Sequence, residues 1–329
     1  MSITREKLIE LARAEAQERA AAGDVVSAYV IGSVATSEPL LGGAADVDLV
    51  MIHTYPPVTG REMVRLSADA HLDIAHHPRS MYAQPRLLRV HPWLGPAISD
   101  PVYIYDPEHF FEWVQAGTRG QFHRPDHACA RARAFLDAAR KSSAQVNQDG
   151  AWLPSYLRAV LEGANAAVCL AGAPAAGRRA ALTLEQRASA LDRPEVYGGF
   201  LRLLGTDRAG GWDVPAWLSS WGRAFDDVPP SSPDPLLVAF RRSYYLSGFQ
   251  ALAEASRPEC LVWPLLTIWD RTLRSLQGAS AAPHHHAWDS VLEQLGLSPT
   301  SRASRAGELD AYLEHIEAVV DEWAEKNGA

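Results

Sequence analysis

Gly32-Ser33 closes one apolar run, and twelve residues later Asp46-Val47-Asp48 opens another that continues through Leu49, Val50, Met51 and Ile52. On a strand, successive side chains alternate faces, so Asp46 and Asp48 project to the same side. Two carboxylates a few ångströms apart repel, and each raises the other's pKa unless a cation lies between them. Buried aspartate is costly without such a partner. In the segment His71–His77 the same alternation puts His71, Asp73, Ala75 and His77 on one face. Asp73 is therefore the candidate third carboxylate, brought beside the first pair by an antiparallel strand, with Asp69 its near alternative. Mg²⁺ suits such a cluster, being hard and oxygen-seeking, with coordination places left for water and phosphate oxygens. Gly32 permits close backbone approach, and backbone N–H groups with the Ser33 hydroxyl can hold phosphate oxygens. A phosphate clamp, a paired-carboxylate metal site and a third carboxylate are the parts of a two-metal phosphoryl-transfer centre. The competing reading is an edge strand whose aspartates lie in water.

The elements that would position these residues follow from periodicity. Residues 3–22 carry Leu8, Leu11, Ala12 and Ala16 at helical spacing, ended by Gly23. Strands are expected at Val25–Ile31, Val47–His53, 70–77 and 100–106, with 34–44 a loop or short helix and 55–60 a turn. A helix begins near Pro107, with Asp106 as its N-cap. Beyond about residue 120 the pattern is helical: 126–147, 151–171, 179–191, 194–204, 234–255, 258–277 and 304–325. Breaks fall at Ala171–Arg178, Gly205–Pro215, Asp226–Pro235 and Gly278–Ala287. Strands in the first third and helices thereafter give an α+β chain: a small mixed sheet flanked by helices over 1–118, then a larger all-α domain over 119–329.

The order Gly32-Ser33, Asp46-Val47-Asp48, then Asp73 on a later strand resembles the signature of the DNA polymerase beta-like nucleotidyltransferase superfamily. The similarity covers roughly the first 110 residues. A following helical domain resembles the small-molecule branch, which includes the kanamycin and lincosamide nucleotidyltransferases. Two departures are visible: Ala45 stands where many members have Ser or Thr before the first metal aspartate, and Leu40–Asp46 is less polar than the usual loop. The resemblance implies Mg²⁺ (Mn²⁺ as a substitute) held by Asp46, Asp48 and Asp73. Gly32 and Ser33 would hold the phosphates of ATP or another NTP. A nucleoside monophosphate would pass to a hydroxyl of a small-molecule acceptor bound with help from the helical domain, releasing pyrophosphate, and a homodimer would be compatible with it. Antibiotic-modifying relatives also use a general base outside the triad, for which Glu162 is the candidate, against an Arg158–Glu162 structural ion pair at helical spacing. Asp270 is a second outsider.

Other signals carry blander alternatives. His71, His76 and His77 flank Asp73, but imidazole is a poor Mg²⁺ ligand, and a histidine bonded to a carboxylate or phosphate is the simpler reading. Arg79, Arg86 and Arg89 would meet the triphosphate or lie on a solvated surface. His284-His285-His286 reads as loop. Many of the ten tryptophans lie in the helical part, among them Trp152, Trp212, Trp217, Trp221, Trp263 and Trp269, and would line an acceptor pocket or pack the core.

Composition narrows the rivals. A net charge of −8 with only three lysines disfavours a long nucleic-acid partner, since phosphate contacts dominate that affinity. No apolar run reaches the ~18 residues of a membrane span, and the charged N-terminus lacks the apolar core of a signal peptide. The three cysteines, Cys129, Cys169 and Cys260, are far apart without metal-ligand spacing, as expected of reduced core residues in a cytoplasmic protein. An antitoxin-type protein AMPylator is one rival, which the long helical part argues against. A non-catalytic nucleotide-binding interaction module is another.

Overall fold

The structure is a computed structural model that describes residues 4–36, 40–148, 152–208, 212–276 and 281–329. Its first helix, α1 (Arg5–Ala21), is capped by Thr4, whose hydroxyl accepts the Lys7 N–H, and buries Leu8, Ala12 and Ala16 on one stripe. The strands are β1 (Val25–Ile31), β2 (Ala45–His53), β3 (Arg61–Arg65), β4 (Ala70–Pro78) and β5 (Val102–Tyr105), in the spatial order β3-β4-β2-β1-β5. Helices α2 (Pro85–Leu88), α3 (Leu94–Ser99) and α4 (Phe110–Arg119) complete this part.

Alternation sorts the sheet into two faces. Ala28, Val30, Val47, Leu49, Met51, Leu72 and Ile74 pack with Leu8, Ala12 and Ala16 of α1. Tyr29, Val50 and Ile52 pack on the other face with Tyr82, Leu88, Ile98, Phe111 and Val114, and Tyr29 stacks on Phe111 at 4.2 Å. Asp46 and Asp48 share the parity of Val50 and Ile52, so they continue this second face toward the start of β2.

Two features of the sheet differ from expectation. β3 was not anticipated: its sequence, REMVR, is mostly charged, the chemistry of an edge strand rather than a core one. It pairs antiparallel with β4, so β4 runs parallel to β2, not antiparallel. Helix α4 begins at Phe110, three residues later than a cap at Asp106 requires. His109 instead holds the cap position in the left-handed region at φ 56°. Asp106 still satisfies the helix end, its two carboxylate oxygens accepting the N–H groups of Phe111 and Glu112 at 3.0 and 2.9 Å.

The remaining helices are α5 (Pro125–Val146), α6 (Trp152–Val168), α7 (Ala180–Ala190), α8 (Pro194–Leu203), α9 (Val214–Asp226), α10 (Arg241–Glu254), α11 (Glu259–Ser275), α12 (Ala282–Gln294) and α13 (Arg302–Asn327). The chain is thus α+β, a five-stranded mixed sheet with flanking helices and a larger helical part. α9 was not expected; its N-cap Asp213 accepts the Ala216 N–H, and Pro215 sits in the first turn. The histidine run 284–286 is helical, not loop, because Pro283 starts α12 rather than ending a segment.

The chain divides into two compact units. One comprises residues up to His123 together with Pro233–Gly248, the other Arg124–Ser232 with Phe249–Ala329. Against a single division at 118/119, residues 233–248 return to the first unit. Pro233 and Pro235 keep this stretch from being the helix expected from 234; the helix begins only at Arg241. In the second unit α13 packs on α5 and α6, and Trp221 and Trp269 are fully buried. Cys129, Cys169 and Cys260 are buried free thiols. Among the described residues no helix is long and apolar enough to cross a membrane.

Candidate metal centre

The parallel pairing of β2 with β4 sets Asp46 opposite His71 and Asp48 opposite Asp73. Adjacent strands and a shared face bring the three carboxylates together, and one oxygen from each of Asp46, Asp48 and Asp73 lies within 4.8 Å of the others. Gly32 is beside them because Ile31 pairs with Asp48 and the chain then turns through a 3₁₀ segment, Gly32–Val34. Its φ is +73°, and a Cβ at this position would overlap Asp48 Oδ2. Only glycine lets the turn pass that close to the carboxylate. Ser33 is half-buried in the same turn, and its carbonyl accepts the Thr36 hydroxyl at 3.1 Å.

Two arginines that sequence reasoning missed complete the centre. Arg61 of β3 grips Asp73 through both oxygens, Nε donating to Oδ1 at 2.6 Å and Nη2 to Oδ2. Arg241, the first residue of α10, donates from Nη2 to Asp46 Oδ2 at 2.9 Å and places Nη1 3.7 Å from Asp73 Oδ2. Its Nε donates to the Tyr245 hydroxyl at 3.1 Å, and its guanidinium lies 4.8 and 5.2 Å from the ring centres of Tyr244 and Tyr245. Arg61 carries no signal in its own sequence context. Arg241 carries a faint one, since tyrosines three and four residues later on a helix can cover a guanidinium.

Asp48 makes the electrostatics of the cluster visible. Burial first, then Asp46 and Asp73, push its carboxyl well above the ordinary range, with Arg61 and Arg241 opposing. Part of Asp48 nonetheless remains accessible to solvent. Asp46 Oδ1 is buried and accepts no hydrogen bond of good geometry, although His71 Nε2 stands 3.2 Å away. A hard three-carboxylate donor set with a buried oxygen short of a partner fits a divalent cation such as Mg²⁺.

The other sequence candidates have local partners. His77 Nδ1 meets the Tyr82 hydroxyl at 2.7 Å, and His76 joins Glu62 and His53 at 2.8 Å each. Arg89 donates to the Gly117 carbonyl and to Gln121, and Arg79 lies over the Phe110 ring, so both hold helices in place. Glu162 belongs to the second unit, where Ser142 donates to it at 2.9 Å and burial raises its pKa; Arg158 acts on it through charge. Asp270 accepts from Arg274 one turn later. The less polar loop before Asp46 also has a reason: Gly42, at φ +66°, lies against the backbone of Ser247, leaving no room for a Cβ.

Comparison with family models and with curated proteins returns no match. Among solved structures the chain is similar to a nucleotidyltransferase-like protein from Exiguobacterium sibiricum 255-15. The identity is 16% and the TM-score 0.33, over 76% of this chain and 79% of that one. A likeness of that size assigns nothing by itself.

Proposed function

We propose that the chain is a divalent-metal-dependent nucleotidyltransferase that moves a nucleoside monophosphate from an NTP, ATP foremost, to a hydroxyl of a small-molecule acceptor. The observation that carries this reading is the meeting of Asp46, Asp48 and Asp73 on two adjacent strands beside the Gly32-Ser33 turn. In this reading Asp46 and Asp48 hold Mg²⁺, with Asp73 completing the donor set. When bound, the metal neutralises charge building on the phosphate oxygens. The Gly32 N–H and Ser33 hydroxyl bind β- and γ-phosphate oxygens, and Asp73 draws the proton from the attacking hydroxyl. The acceptor oxygen then bonds to the α-phosphorus as the bond to the bridging oxygen breaks, and pyrophosphate departs. The net charge of −8 supports a small acceptor over a nucleic acid.

The arginine pairing of Asp46 and Asp73 favours one second reading, a non-catalytic module that binds nucleotide through Arg61 and Arg241. It predicts nucleotide binding without pyrophosphate release. The test is transfer from labelled NTPs onto aminoglycosides, lincosamides and small molecules of a cell extract, with pyrophosphate measured. Asp48→Asn should cut turnover by at least about a hundredfold while leaving the circular dichroism spectrum intact. Full activity in Asp48→Asn would overturn the assignment, and binding without turnover in the unaltered chain would favour the second reading.

A further inference from the structure

We infer that Arg241 is a resident counter-cation of the carboxylate cluster, so that the site takes up a divalent cation together with a triphosphate and not alone. The inference rests on the metal-centre reading above. Three carboxylates face two guanidiniums, which leaves at most one negative charge uncompensated. A bare dication would reverse the sign of a largely buried cluster. Asp46 has Oδ1 to offer it, but the other oxygen of that carboxylate already holds the buried Arg241 guanidinium, so the dication would sit beside a fixed positive charge.

A triphosphate changes that balance. Its several negative charges offset both the metal and the guanidinium beside it, and its oxygens are the paired acceptors that guanidinium groups favour. Binding of the two ligands is then coupled, each tightening the other. The two arginines are not equivalent. The Arg61 side chain is 46% exposed and can swing toward solvent, whereas that of Arg241 is 4% exposed. Arg241 is fixed by Tyr244, Tyr245 and the Met63 sulfur, 2.9 Å from Nη1. It is the cation that an incoming metal meets at Asp46, and the one already in place for a phosphate group there.

Mn²⁺ binding to the full chain, read from the loss of the free-ion electron paramagnetic resonance signal, tests this without turnover. The unaltered chain should bind bare Mn²⁺ weakly, and Arg241→Gln should tighten that binding about tenfold or more by removing a nearby positive charge. Arg241→Lys, which keeps the charge, should stay weak. In calorimetry the unaltered chain should bind Mn²⁺-loaded α,β-methylene-ATP at least about tenfold more tightly than bare Mn²⁺. This arm decides the matter alone if Arg241→Gln does not fold. Folded Arg241→Gln with unchanged or weaker Mn²⁺ affinity overturns the inference, as does bare Mn²⁺ binding as tight as that of the loaded analogue. Asp48→Asn separates the two levels. Loss of its Mn²⁺ binding alongside an indifferent Arg241→Gln overturns the arginine role only. Undiminished binding of the Mn²⁺-loaded analogue by Asp48→Asn overturns the metal centre itself and the inference with it.

Discussion

Asp48 sits where burial and two neighbouring carboxylates disfavour its charge, and only Arg61 and Arg241 oppose them. In the folded chain it therefore keeps its proton to higher pH than in the unfolded chain. Its favourable contribution is complete below about pH 4, the ordinary aspartate range, and is lost as pH rises through the raised pKa. Asp48→Asn removes that loss. Without metal, the variant's Tm should exceed that of the unaltered chain by a margin that widens from pH 4 to pH 8 in scanning calorimetry. A margin that is flat or negative across the range would mean that the neighbouring charges do not strain Asp48. The three aspartates and Gly32 were legible because alternation and a turn glycine are local properties. Arg61 and Arg241 were not, because what defines them is a partner 12 or 195 residues away in sequence.

At the level of elements, legibility followed how strongly burial imprints a pattern. β1 and β2 are nearly continuous buried runs, β4 is buried over Ala70–Ile74, and each was readable. β3 has solvent on its edge and charges at both ends, so nothing in it resembles a core strand. Missing β3 also inverted the direction of β4, since one unseen reversal turns an antiparallel neighbour into a parallel one. The face on which Asp73 lies survived that error, because parity does not depend on strand direction. Asp106 illustrates a similar tolerance: it was expected as a cap one turn too close to the helix, yet its carboxylate still receives two of the helix's first N–H groups. Asp106→Ala should therefore destabilise the chain by about 1 kcal/mol in urea titration, with an unchanged slope. No loss would mean that water serves these N–H groups equally well.

Across the whole chain, the end of strand patterning set the expected division at 118/119 and gave no sign that Pro233–Gly248 groups with the residues up to His123. Short-range periodicity cannot encode such a return. The return has visible requirements inside the first unit: Gly42 is free of a Cβ where the Ser247 backbone passes, and Asp46 finds in Arg241 the cation that its burial demands. A fragment ending at His123 should then be incomplete in a defined way, with the Gly42 turn uncovered and Asp46 lacking its ion-pair partner. A synthetic peptide of residues 233–248 supplied in trans should bind this fragment saturably and raise its Tm. The same peptide carrying Arg241→Gln should bind more weakly, because it restores the backbone packing at Gly42 but not the charge at Asp46. Equal binding by both peptides would assign the return to packing alone. No binding by either would mean that residues 233–248 are held in place by their covalent continuation and not by the unit they rejoin.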